Sequence, residues 1–138
     1  MADDFTQCMV SNSRMAARAI TRRYDGYLRG TGVTSTQLSL MGAMRMLPDA
    51  TVSQIAETLG FDRTTLTRNL DRLEAMGLVA SRAAVRGNGR IASVTQKGLA
   101  LFTELLPLWR KAQAEMKAEL GSEGFAETLH ALRRLGSV

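Results

Sequence analysis

Three threonines and two arginines crowd into "DRTTLTRNL", residues 62–70. Threonine is β-branched and a mediocre helix former, so Thr64, Thr65 and Thr67 are unexpected where Ala, Glu or Lys would serve a solvated helix better. Their chemistry suits another task. A threonine hydroxyl hydrogen-bonds a base edge or a phosphate, its methyl meets that of thymine, and its small size lets a helix approach a groove. The guanidinium groups of Arg63 and Arg68 can grip guanine O6 and N7, or a phosphate. Nothing in the chain composes an acid–base pair, a nucleophile triad or a glycine-rich phosphate loop, which argues against an enzyme.

The leucines indicate which way these side chains point. With Leu66 at zero and about 100° per helical residue, Leu70 and Leu73 fall beside it and define a buried stripe. Thr64, Arg68, Asp71 and Arg72 land opposite, with Thr65 on the flank. Asp62 is a good N-cap, and the helix is expected to run to Ala75 or Met76 and stop at Gly77. Its N-terminal amides and dipole favour a phosphate.

The surrounding elements must hold that helix. Apolar residues from Phe5 to about Arg29 recur at helical spacing, and the chain should turn at Gly30–Gly32. "TSTQ" at 34–37 and "TVSQ" at 51–54 are capping boxes that open two further helices, the first halted before Pro48 and the second ended by a left-handed Gly60. "LVASRAA" (78–84) and "RIASVT" (90–95) flank the turn-forming "VRGNG" and predict a hairpin. Thr95 caps a long helix, expected to bend at Pro107, and Ser122 caps a last one after Gly121. Two helices joined by a tight turn and followed by a hairpin make a winged helix-turn-helix. The fold class is therefore mainly α with a small β-hairpin wing. Residues 34–95 would form the DNA-binding region, flanked by helical regions at 1–33 and 96–138.

With 138 residues and a 45% apolar share, the chain can bury one real core. Between Phe61 and Gly98, seven Arg or Lys face three acids, which supplies +4 of the chain's +5. A local excess of that sign points to an anionic partner docking there, nucleic acid first. The single cysteine, Cys8, suits a reducing compartment. "MADDFTQCMV" is unlike a signal peptide, and "GLALFTELLPLW" is too short and interrupted to cross a bilayer. The chain reads as cytoplasmic, with no membrane partner, no cofactor and no metal site.

"TVSQIAETLGFDRTTLTRNLDRLEAMGLVASR" followed by "RIASVTQKG" closely resembles the MarR (multiple antibiotic resistance regulator) family of bacterial winged-helix transcription factors. The resemblance covers nearly the whole chain. It implies a homodimer built from the N- and C-terminal helices, binding double-stranded DNA as a repressor of a pseudo-palindromic operator and released by a small aromatic or phenolic effector. Carried over by position, Arg63, Thr64, Thr65, Thr67, Arg68 and Arg72 belong to the recognition helix, with Arg63, Thr64, Thr65 and Arg68 at or near base edges. Arg90 would be the minor-groove arginine, and Arg86 and Asn88 would contact sugar or phosphate. The family commonly carries an acid in the wing that pairs with an arginine near the end of the recognition helix. "ASRAAVRGNGR" has none, so Arg72 loses its expected partner and a looser, more basic wing is expected.

Two further functions compete. A winged helix used only for protein–protein contact would need an apolar patch on the recognition helix, where the pattern places polar and basic groups. A thiol-based redox regulator would use Cys8, which needs exposure and a depressed pKa; Asp3 and Asp4 nearby should act against that. Met15, Met41 and Met44 read first as core fillers and second as the lining of an effector pocket. His130 is taken as structural or surface. The stripe Leu99, Phe102, Leu106, Trp109, Met116, Leu120 suits a helix–helix seam that one subunit is too small to hide.

Overall fold

The computed structural model describes residues 3–137. A 3-10 turn (Phe5–Gln7) leads into α1 (Met9–Tyr27), followed by α2 (Ser35–Met46), α3 (Val52–Leu59) and α4 (Arg63–Ala75). The hairpin β1 (Val79–Ala83) and β2 (Arg90–Val94) comes next, and α5 (Gln96–Gly136) ends the chain. This is the winged helix-turn-helix expected from the capping and leucine patterns.

Local hydrogen bonds explain why the elements begin where they do. Both capping boxes form: Thr34 with Gln37 opens α2, and Thr51 with Gln54 opens α3, each satisfying two otherwise orphaned amides. The Asp25 carboxylate also accepts from the Ser35 amide at 2.7 Å, tying the end of α1 to the start of α2. Gly60 closes α3 in the left-handed conformation, φ +71°. The far end of α4 is stitched by the chain beyond the hairpin. Lys97 donates to the Met76 carbonyl at 2.9 Å and Thr95 to that of Gly77 at 2.6 Å.

Two boundaries differ from the sequence reading. The first helix starts later than expected, because Asp4 caps the short 3-10 turn by accepting from the Thr6 amide, which leaves Cys8 at the N-cap of α1 instead of inside a helix. In α5 the backbone keeps helical dihedrals through Pro107 and leaves them at Gly121 (φ +74°, ψ 158°). Proline's fixed φ fits a helix, whereas this glycine adopts a backbone that side chains resist. The last helical segment therefore starts after Gly121, as anticipated.

One apolar cluster joins Leu38, Leu40, Met41 and Met44 of α2, Ile55 of α3, Leu66, Leu70 and Leu73 of α4, and Val79 and Ala92 of the hairpin. Leu28, Val33, Phe102 and Leu105 complete it from either side. The start of α5 approaches closely: a Cβ at Gly98 would sit 2.1 Å from the Leu78 carbonyl oxygen, so only glycine fits there. Met41 and Met44 are core, while Met15 is 65% exposed on α1, so the three methionines do not line a common pocket. Of the expected seam, Phe102 is buried, whereas Leu99, Trp109 and Leu120 are exposed.

Candidate nucleic-acid interface

The interface is built on α4. Leu66, Leu70 and Leu73 face the core, and Leu73 has no exposed surface at all. Anchoring three leucines on one stripe obliges the opposite stripe to face outward. Arg63, Thr64, Thr67, Arg68, Asp71 and Arg72 are exposed, and Thr65 is half-buried on the flank. The structure thus puts hydroxyl and guanidinium side chains together on one accessible face.

The beginning of this helix is well held. The Asp62 carboxylate accepts from the Thr65 amide at 2.7 Å. The Thr65 amide and hydroxyl beside it, with a smaller pull from Arg68, hold the Asp62 carboxyl below the usual carboxylate range. A charged cap also complements the positive end of the helix dipole. Asn69 donates to the Thr65 carbonyl at 2.8 Å, so that side chain is turned to its own helix.

The wing lies beside α4. Its strands pair antiparallel from Val79 opposite Val94 to Ala83 opposite Arg90. One more bond, Ala84 amide to Gly89 carbonyl at 2.8 Å, closes a tip of Val85, Arg86, Gly87 and Asn88. Arg86 and Asn88 are exposed on that tip, where they were expected. Arg90 is the first residue of β2, and its guanidinium donates to Glu74 Oε1 at 3.1 Å and to the Ser81 hydroxyl. Sequence reasoning missed Glu74 and Ser81 as its partners; sixteen and nine residues of separation carry no local signal. Arg72 makes no ion pair among the described residues, in keeping with the missing wing acid.

The terminal helices carry a different kind of surface. No residue of α1 is buried, and Phe5, Met9, Val10, Met15 and Ile20 are exposed alongside Trp109, Leu120, Leu132 and Leu135 of α5. The two helices meet through polar pairs, Arg23 with Glu119 and Tyr24 with Gln113. Cys8 is half-buried, and the Ser11 amide and hydroxyl, with the Val10 amide, hold its thiol below the ordinary value despite the nearby aspartates. Among the described residues no group of histidine, cysteine and carboxylates could hold a metal, and no helix is long and apolar enough to cross a membrane.

Comparison with known proteins fits this geometry. The family model described as the MarR family matches residues 31–91, which include both capping boxes, α4 and the hairpin through Ile91. The Mycobacterium tuberculosis transcriptional regulator MosR, solved in complex with DNA, is 34% identical over 95% of both chains, with a TM-score of 0.83. A mutant of Escherichia coli MarR complexed with operator DNA shares the fold at 22% identity, over 97% of this chain and 99% of that one, TM-score 0.81. The PcaV regulator of Streptomyces coelicolor, in complex with its natural ligand, shares it at 20% identity over 100% and 98%, TM-score 0.84. With its leucine-backed recognition helix, its wing and its likeness to MosR along nearly its whole length, this chain belongs to the MarR family of winged-helix, DNA-binding transcriptional regulators.

Proposed function

We propose that the protein is a homodimeric repressor that reads a pseudo-palindromic operator through α4 and the wing and is released by a small aromatic or phenolic effector. The observation that carries this reading is the free face of α4, where Thr64, Arg68 and Arg72 project away from Leu66, Leu70 and Leu73. Arg63, Thr64, Thr65 and Arg68 would meet base edges, with Thr67 and Arg72 beside them on the same helix. Arg86 and Asn88 at the wing tip would reach the neighbouring backbone, with Arg90 adding its charge at the base of the wing. A polar, basic face does not suit a protein–protein module, which would present apolar anchors.

The exposed apolar residues of α1 and α5 support dimerisation, since a helix of 19 residues with none buried gains little by standing alone. Two copies related by a two-fold axis should read half-sites about 10 to 10.5 base pairs apart, centre to centre. PcaV holds its natural ligand, which supports a small-molecule effector here.

Selection of bound sequences from random duplex DNA, repeated for Thr64→Ala and Arg68→Ala, tests the reading. The parent protein should yield a pseudo-palindrome whose affinity falls steeply with salt, and the variants should bind more weakly with relaxed preference. Unchanged affinity and preference in both variants would overturn it. A panel of aromatic acids and phenols, scored for release of the selected duplex, tests the effector.

One observation favours a second trigger. The Cys8 thiol sits at a helix N-terminus with a lowered pKa, which raises the thiolate fraction that reacts with peroxides. If peroxide weakens operator binding by the parent and not by Cys8→Ser, the thiol is the switch; equal responses end that idea.

A further inference from the structure

Arg90 stands at the point where the wing leaves the body of the protein, and the register of the hairpin decides where it points. Paired residues share a face and faces alternate along each strand. Arg90 therefore lies on the face that carries Ala92 on its own strand and Val79, Ser81 and Ala83 on the other. Val79 and Ala92 are buried in the common core. Ser81 and Arg90 continue that inner face toward the tip, beyond the reach of the apolar cluster. Arg82 lies on the opposite face and is exposed.

The inner polar face is closed by a three-membered network. The Ser81 hydroxyl donates to Glu74 Oε1 at 2.5 Å, and Arg90 Nη2 donates to the same carboxylate oxygen at 3.1 Å and to the Ser81 oxygen. One residue comes from the last turn of α4, one from β1 and one from β2. Among the described residues this is the only ion pair of the winged region, the other two joining α1 to α5. Beside it, a Cβ at Gly89 would sit 2.6 Å from Thr51 Cγ2, so the wing also rests directly on the start of α3. Consecutive residues, 89 and 90, thus fasten the wing to both helices of the helix-turn-helix.

We propose that Glu74 and Ser81 hold Arg90 as a clasp that sets the wing against α4, so that Arg90 aids DNA binding by placing the wing and not by touching a base. The inference rests on the DNA-binding reading and changes the role of one residue in it. A two-stranded hairpin has little stability of its own, and its closed tip spans only four residues. Without a tie to α4, Arg86 and Asn88 would lose their fixed position relative to the recognition helix. The network does the work of the absent wing acid with its charges exchanged: the carboxylate is on the helix and the guanidinium on the wing.

Electrostatics makes the test sharp. Removing Glu74 deletes a negative charge close to the DNA-binding face, and by charge alone this should tighten binding to phosphates. The clasp predicts the reverse. In the full-length protein, Glu74→Gln and Arg90→Ala should each weaken binding to the selected duplex about fivefold, the upper end of what one exposed ion pair supports. The exchanged pair, Glu74→Arg with Arg90→Glu, should recover most of the loss. Amide hydrogen exchange across residues 84–89 in the DNA-free protein should accelerate in each single variant and slow again in the exchanged pair. If Glu74→Gln binds DNA as tightly as the parent or more tightly, or if the wing amides do not respond, the clasp is wrong. If exchange recovers in the swapped pair and affinity does not, Arg90 touches DNA itself and its purely positional role is overturned. The exchange measurement needs no DNA, so it decides the clasp even if the parent protein shows no sequence preference.

Discussion

The winged helix-turn-helix and the terminal helices solve the burial of apolar side chains in opposite ways. From α2 to β2 most of the leucines, methionines and isoleucines turn inward, Met46 and Leu47 excepted, and their packing leaves Leu40, Met41, Ile55, Leu73 and Leu78 essentially without exposed surface. In α1 and the far half of α5 many large apolar residues face out, and the two helices are joined by the polar pairs Arg23 with Glu119 and Tyr24 with Gln113. The first region encloses its apolar side chains in one cluster, completed by Leu28, Val33, Phe102 and Leu105. The second is arranged like half of an interface, a core still waiting for its other side. The candidate recognition residues sit on the part with the packed core, where a rigid backing fixes the geometry of side chains, while the proposed dimerisation would fall to the part that is incomplete alone.

The largest effect should come from spoiling the incomplete side. Leu132→Asp with Leu135→Asp should yield a monomer by sedimentation at micromolar concentration and reduce operator affinity by about a hundredfold or more, the loss expected when two linked half-sites become independent. Persistence of a tight dimer would break the comparison. Next comes the packed core. Leu73→Ala should cost about 2–5 kcal/mol in chemical denaturation, whereas Leu132→Ala, exposed in the subunit, should change the stability of a monomeric background by less than about 0.5 kcal/mol.

Smaller effects sharpen the same contrast. Arg68→Ala should leave stability unchanged and cost about 1–3 kcal/mol of specific binding, measured by titration against the selected duplex. Thr34→Ala, which removes half of a capping box, should lower stability by about 1 kcal/mol without altering sequence preference. The smallest change concerns Cys8. Because the Ser11 groups favour its thiolate, alkylation should set in at lower pH than for a free thiol, and Ser11→Ala should move that onset back upward. A profile matching free cysteine would remove the basis for a thiol trigger.

Much of the architecture was legible along the chain because its causes are local. Thr34 with Gln37, Thr51 with Gln54, and Asp62 before Arg63 satisfy amides three residues away, so their spacing announces the helix starts. Leu66, Leu70 and Leu73 recur at helical period, and that alone orients Thr64 and Arg68. The late start of α1 and the uninterrupted helix at Pro107 were less legible, since a competing cap at Asp4 and a tolerated proline leave the apolar spacing unchanged. Met15, Met41 and Met44 look alike in sequence, yet two are core and one is surface.

Helix identities, the hairpin and the outward face of α4 follow from the sequence alone, because periodicity and capping act over three or four residues. The tertiary structure decided what depends on distant segments meeting. It placed Glu74 and Ser81 around Arg90, gave the wing a tie to α4 that the acid-free turn did not announce, and brought Gly98 against the Leu78 carbonyl. It also left α1 without a buried residue. The physical reason is the same in each case: ion pairs and close approaches are set by separation in space, and nothing in the spacing of residues along a chain encodes that separation directly.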